Sequence, residues 1–224
     1  AGLRAGSEFI APAPALQRSR SLLSHGRQIW RDLLETGDAV APGDVAQYMK
    51  SLYHAVNAVA ELSGPPLQER RLMLEFASRA ETAGRPGMDA ALVGLMGASS
   101  LEPSVIQSWL PEWKLAFEAA SESSRVDSRI HPTRVNYYEK AIRAMLEGEK
   151  PRAALWSLLQ TWTLAVDVLP DHALDSWRAA CAQLGLTAAG MEERVNGLDY
   201  FLDEVEALLD ELAGQYGLET STSI

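Results

Sequence analysis

Cysteine occurs once in 224 residues, as Cys181, so this chain forms no internal disulfide. A reducing compartment fits, and a cytoplasmic location is the expectation. Cys181 lies between Ala180 and Ala182 in a helical pattern and reads as a small buried filler, not a nucleophile. No apolar run approaches the roughly 18–20 residues that cross a bilayer. The richest, 153–169, is interrupted by Ser157, Gln160, Thr161, Thr163 and Asp167 and reads as a buried core helix, so no membrane partner is expected. Basic residues are scarce: 20 against 30 acidic ones, for a net charge of −10. General nucleic-acid binding rests on neutralising phosphates with Lys and Arg, so this balance disfavours RNA as a partner. No segment sustains two-residue alternation, so essentially no sheet is expected.

The chemistry-bearing patterns are also thin. No Glu precedes a His by three residues, as a di-iron bundle requires. There is no Cys/His zinc spacing, no glycine-rich phosphate loop and no G-x-S-x-G elbow. His172 and Asp175 stand one helical turn apart but fall at a helix start, where capping accounts for them. No metal or cofactor is expected.

What the sequence does hold is helical periodicity. In 191–216, apolar residues fall at Met191, Val195, Leu198, Leu202, Val205, Leu209, Leu212 and Tyr216, alternating steps of four and three. Phe201 and Leu208 widen the stripe. The opposite face carries Asp199, Asp203, Glu206 and Asp210 among other acids, so one face needs a cover and the other faces water. Further helices are predicted over about 16–36, 44–62, 67–82, 88–96, 103–120, 133–146, 151–169 and 170–184. Gly37-Asp38, Ser63-Gly64-Pro65-Pro66, Gly84-Arg85-Pro86-Gly87 and Glu147 to Pro151 punctuate them. Pro111 should bend or split its helix, and Gly26 suits a close packing contact.

The fold class is therefore all-α, an antiparallel helical bundle joined by short connections. Gly6-Ser7-Glu8-Phe9 matches what two adjacent cloning sites encode, so residues 1–15 read as a scar and flexible lead-in on part of a longer protein. An N-terminal helical unit over 16–121, a polar linker at 122–132, a C-terminal unit over 133–216 and a tail at 217–224 follow. The two units share a grammar of Gly turn, long apolar helix, proline break and final amphipathic helix, which suggests duplication of a four-helix unit.

Three sets of residues are candidates for function. Trp109 and Trp113 stand one turn apart and offer aromatic anchors for a ligand or partner groove. Asp199, Asp203, Glu206 and Asp210 form an acidic docking face for a basic partner. Two clusters, Arg18, Arg20, Arg27, Arg31 and Arg125, Arg129, Arg134, Arg143, can pair with that face, within the molecule or across a dimer, or touch phosphates. Arg125 and His131 show R-x5-H spacing. With Ala141 to Gly148 and Arg152 to Trp156, residues 134–216 resemble HEPN-type and nucleotidyltransferase-associated helical domains. That resemblance implies a ribonuclease or toxin–antitoxin component in which His131 moves a proton and Arg125 stabilises phosphate charge. In that family both sit on a helix, whereas here they lie in a Ser-rich linker before Pro132.

The leading expectation is a non-catalytic helical interaction module, with a protein partner or a second copy of itself. The alternatives are the nuclease and a small-ligand-binding helical protein with a pocket between the halves.

Overall fold

The computed structural model describes residues 12–35 and 40–218, and all regular structure among them is helical. In chain order the helices are α1 (Pro12–Leu34), α2 (Pro42–Ala60), α3 (Leu72–Thr82), α4 (Met88–Leu95), α5 (Pro103–Ser108), α6 (Leu110–Ala120), α7 (Val135–Leu146), α8 (Ala154–Val166), α9 (Asp175–Gln183) and α10 (Ala188–Gln215). Single 3-10 turns precede α7, α8 and α9. No described helix is long and apolar enough to cross a membrane.

Helix α10 is seated on α1, α2 and α4. Its buried stripe is Met191, Val195, Leu198, Phe201, Leu202, Val205, Leu208, Leu209 and Ala213. The repeat fails at its end, where Tyr216 is exposed. Gly26 of α1 lets three helices close together. A Cβ there would stand 3.3 Å from Leu202 Cδ2 and 3.4 Å from the Ser51 carbonyl oxygen. Ser51 Oγ donates to the Gly26 carbonyl at 2.8 Å, which ties α2 to α1 at that point. Trp30 Nε1 donates to the Val195 carbonyl at 3.0 Å and ties α1 to α10.

Helix α2 is shared. It packs on α1 and α10 on one side and on α3 and α8 on the other. Helix α8 is buried on nearly every side, with α2, α6 and α7 around it. Two of the polar residues that interrupt it serve the core. Thr161 Oγ1 accepts from Trp113 Nε1 at 2.9 Å, and Thr163 Oγ1 accepts from Trp177 Nε1 at 3.0 Å. Each hydroxyl supplies the acceptor that a buried indole N–H requires. One hydrophobic core runs from Leu16 to Ala213 and crosses the 122–132 segment.

Local expectations needed adjusting in several places. Within the described residues the first helix already includes Pro12, Ala13 and Pro14, ahead of the start expected near residue 16. Prolines in a first turn lose no intrahelical bond, because those N–H groups have no partner in any case. The third helix starts at Leu72, because 67–71 is drawn into a bend against α2. Pro111 splits its helix, as its missing N–H and ring require, with the break at Trp109 between α5 and α6. The expectations for residues 1–11, Gly37-Asp38 and 219–224 lie outside the described residues.

Candidate functional site

The aromatic pair does not form a groove. Trp113 is wholly buried with its indole N–H satisfied by Thr161, and its ring lies 5.5 Å from that of Phe117. Trp109 is buried beside it at the α5–α6 break. Both are core, and for Trp113 the cover is α8, which packs on α6 and supplies the Thr161 acceptor. The acidic face of α10 is engaged within the chain. The Arg27 guanidinium holds Asp199 and Asp203 and lies 3.6 Å from Glu206, while stacking 5.4 Å from the Trp30 ring centre. Arg20 Nη2 meets Asp210 at 3.2 Å, and Arg85 takes Glu211. Arg20 and Arg27 of the first basic cluster thus meet the acidic face across one helix–helix contact, while Arg18 turns to Glu61 at the end of α2 at 2.9 Å.

Arg125 and His131 are both exposed, and no hydrogen bond joins them among the described residues. His131 Nδ1 accepts from the Thr133 backbone N–H at 3.3 Å and lies 2.9 Å from Thr133 Oγ1, so the ring caps the 3-10 turn leading into α7. Among the described residues no group of three or more His, Cys, Asp or Glu side chains is placed to hold a metal ion. Cys181 is buried, and burial pushes its thiol up to about 12, so it stays protonated.

A different set of residues converges between α2 and α8. They line a cavity of about 350 Å³, within the usual range for small-molecule sites. Helix α2 contributes Met49, Lys50, Tyr53 and His54, and α8 contributes Gln160, Thr163 and Leu164. Glu69 and Arg129 enter from the two connecting segments.

Each connecting segment is anchored. Buried Asn57 reads the backbone of Leu67 from both ends: its Oδ1 accepts from Leu67 N at 2.6 Å and its Nδ2 donates to Leu67 O at 3.4 Å. That clamp fixes the bend and carries Glu69 to the cleft. The 122–132 segment, read from sequence as a polar linker, buries Ile130 and half-buries Val126. Those contacts turn Arg129 inward.

Arg129 then forms the centre of a charged cluster. Its Nε and Nη2 donate to Asp127 Oδ1 and Oδ2 at 2.8 and 2.9 Å, and its Nη1 donates to Glu69 Oε1 at 2.6 Å. This fork holds the Asp127 carboxyl below its usual range, and the carboxylates hold the guanidinium above its own. Glu69 Oε1 also accepts from Gln160 Nε2 at 3.0 Å. Burial, reinforced by the Glu69 charge, raises the phenols of Tyr53 and Tyr138. Burial, reinforced by His25 and Lys50, lowers the His54 imidazole and favours its neutral form.

Gln160 and His54, which line the cleft, each keep one polar atom buried without a hydrogen-bond partner, Gln160 Oε1 and His54 Nδ1. Such groups cost about 1–3 kcal/mol each in a folded protein, and both of these atoms are covered by the surrounding protein. Glu69 and His54 escaped sequence reasoning because neither belongs to a motif. The available signal was Gln160, a long amide on the least polar helix, next to two threonines that the core accounts for. In comparison with known proteins, no family model, no curated protein and no solved structure matches this chain.

Proposed function

We propose that this protein binds a small polar molecule in the cleft between α2 and α8. The observation that carries the reading is the cavity itself, where Lys50, Tyr53, His54 and Gln160 from the two helices meet Glu69 and Arg129 from the two connecting segments. The charged cluster around Arg129 supports it, because it sets fixed dipoles and charges around that space without filling it. An interaction module working through the α10 acids or the tryptophan pair has less support. The acids are spent on α1, and the indoles lie in the core. The reading carries a cytoplasmic setting, supported by a single cysteine that is buried as a thiol.

A thermal-shift screen against metabolites and nucleotides tests it, repeated with Gln160→Met and His54→Leu. A ligand of the cleft raises the melting temperature of the parent protein, and either substitution cuts that rise. A rise that both variants preserve places the ligand elsewhere and defeats the reading.

A further inference from the structure

Glu69 also lines a second cavity, of about 540 Å³, walled by residues 68–70 and by the start of α7. The chain as a whole holds 30 acidic residues against 20 basic ones, yet this cavity is basic. Most arginines are committed to carboxylates or to backbone carbonyls. Among the described residues only the guanidiniums of Arg31, Arg70, Arg125 and Arg134 make no hydrogen bond or ion pair. Two of these four, Arg70 and Arg134, line the one cavity.

Tyr137 brings the two cations together. The Arg70 guanidinium lies over its ring, 4.2 Å from the centre, and is ordered there without gaining a counter-ion. Arg134 precedes Tyr137 by three residues at the entry to α7, and that spacing sets the two side chains beside each other on one face. The single acid on the wall is engaged elsewhere. Glu69 Oε1 accepts from Arg129 and Gln160, both of which line the α2–α8 cleft.

Tyr138 adds an uncharged donor. It is 7% exposed, with its ring packed 6.0 Å from that of Phe117. Its hydroxyl has no hydrogen bond among the described residues and keeps accessible surface at the cavity. A phenol is protonated at neutral pH and donates. The exposed Gln68 amide, also without a hydrogen bond among the described residues, can donate beside it.

Two cations and two neutral donors converge on one space. A phosphate monoester carries about −1.5 to −2 charge at pH 7 and presents acceptor oxygens that guanidinium forks match, whereas a single carboxylate carries only one charge. We infer that this cavity binds a dianionic phosphate group. Arg70 and Arg134 pair with its charge, Tyr138 donates its O–H, and Tyr137 is a positioning residue for Arg70. The inference does not rest on the α2–α8 cleft.

The test is calorimetric titration of the full chain at low salt with inorganic phosphate, phenyl phosphate and glucose 6-phosphate, and with malonate, phenol and glucose as controls. Phosphate or its esters should bind saturably at one site, and the controls should not. Arg70→Gln and Arg134→Gln should each weaken binding about tenfold, the loss of one charge-assisted contact, and Tyr138→Phe should weaken it severalfold. Arg31→Gln and Arg125→Gln, which remove equally unpartnered arginines outside the cavity, should leave affinity within about twofold. Tyr137→Leu should weaken binding in the parent protein and add no loss to Arg70→Gln. Circular dichroism confirms that each variant is folded. Equal affinity for phosphate and its esters assigns the site to the free ion, and tighter binding of an ester assigns it to an organic phosphate; both uphold the inference. Losses as large in Arg31→Gln or Arg125→Gln reveal diffuse surface charge and overturn it. Malonate binding as tightly as phosphate, or no saturable binding of any phosphate, also overturns it.

Discussion

Trp113 separates a core role from a surface role at the scale of one side chain. It is wholly buried, donates to Thr161, and contacts the Phe117 ring. Trp113→Ala should cost about 3–5 kcal/mol in urea unfolding, the usual range for emptying a large core site. An anchor waiting for a partner would cost little in the free protein. The spacing of Trp109 and Trp113 showed that they share a face. It could not show that α8 lies over Trp113, because Thr161 comes 48 positions later in the chain. His54 makes a pH prediction. Its folded imidazole lies below the ordinary 6.5, so the unfolded chain binds the proton more readily. The stability it contributes is present above pH 6.5 and is lost as pH falls below that value toward the lowered one. His54→Gln should flatten the urea midpoint over that interval. Asp127 and Glu139, the latter held by Lys114 and Arg143, lose their contribution only below their ordinary 3.8 and 4.5, so the fall that begins at pH 6.5 is not theirs.

Whole elements were more legible than single sites. The four–three stripe of α10 announced a buried face and located most of its contacts. Its acids appeared free only because a sequence does not say which helix is its neighbour. Arg27 sits 172 positions before Asp199 and meets it across the α1–α10 contact. Arg27→Met leaves Asp199, Asp203 and Glu206 facing one another without a counter-ion. The expected loss is about 1 kcal/mol at low salt, shrinking toward zero as salt screens the cluster, measured by urea titration at two ionic strengths. Gly97, just beyond α4, has φ +70°, and a Cβ there would lie 2.0 Å from the Leu184 carbonyl oxygen. Gly97→Ala should therefore cost more than about 2 kcal/mol, since the left-handed backbone alone costs about 1–2 kcal/mol and the α9 end must also move. A thermal melt within a degree of the parent would contradict that contact.

Across the whole molecule, the division into halves at 122–132 marks where the chain turns, while the packing interleaves the two sides. Helix α10 is seated on α1 and α2, and α2 in turn meets α8. The cleft exists because of that interleaving. One wall comes from each side of the linker, and the linker itself supplies Arg129. All-helical architecture follows from periodicity and breaks that any reader of the chain can mark. The cleft does not, because it depends on where Asn57 pins Leu67 and where Ile130 pins the turn, and both are tertiary events. The most direct measurement is heteronuclear NMR of the protein labelled at glutamine side-chain amides and histidine rings, titrated with a library of small polar molecules. A ligand of the cleft shifts the Gln160 amide and the His54 ring together and saturably, with the buried Trp113 indole unmoved. Binding that moves other residues while both of these stay still would contradict the assignment.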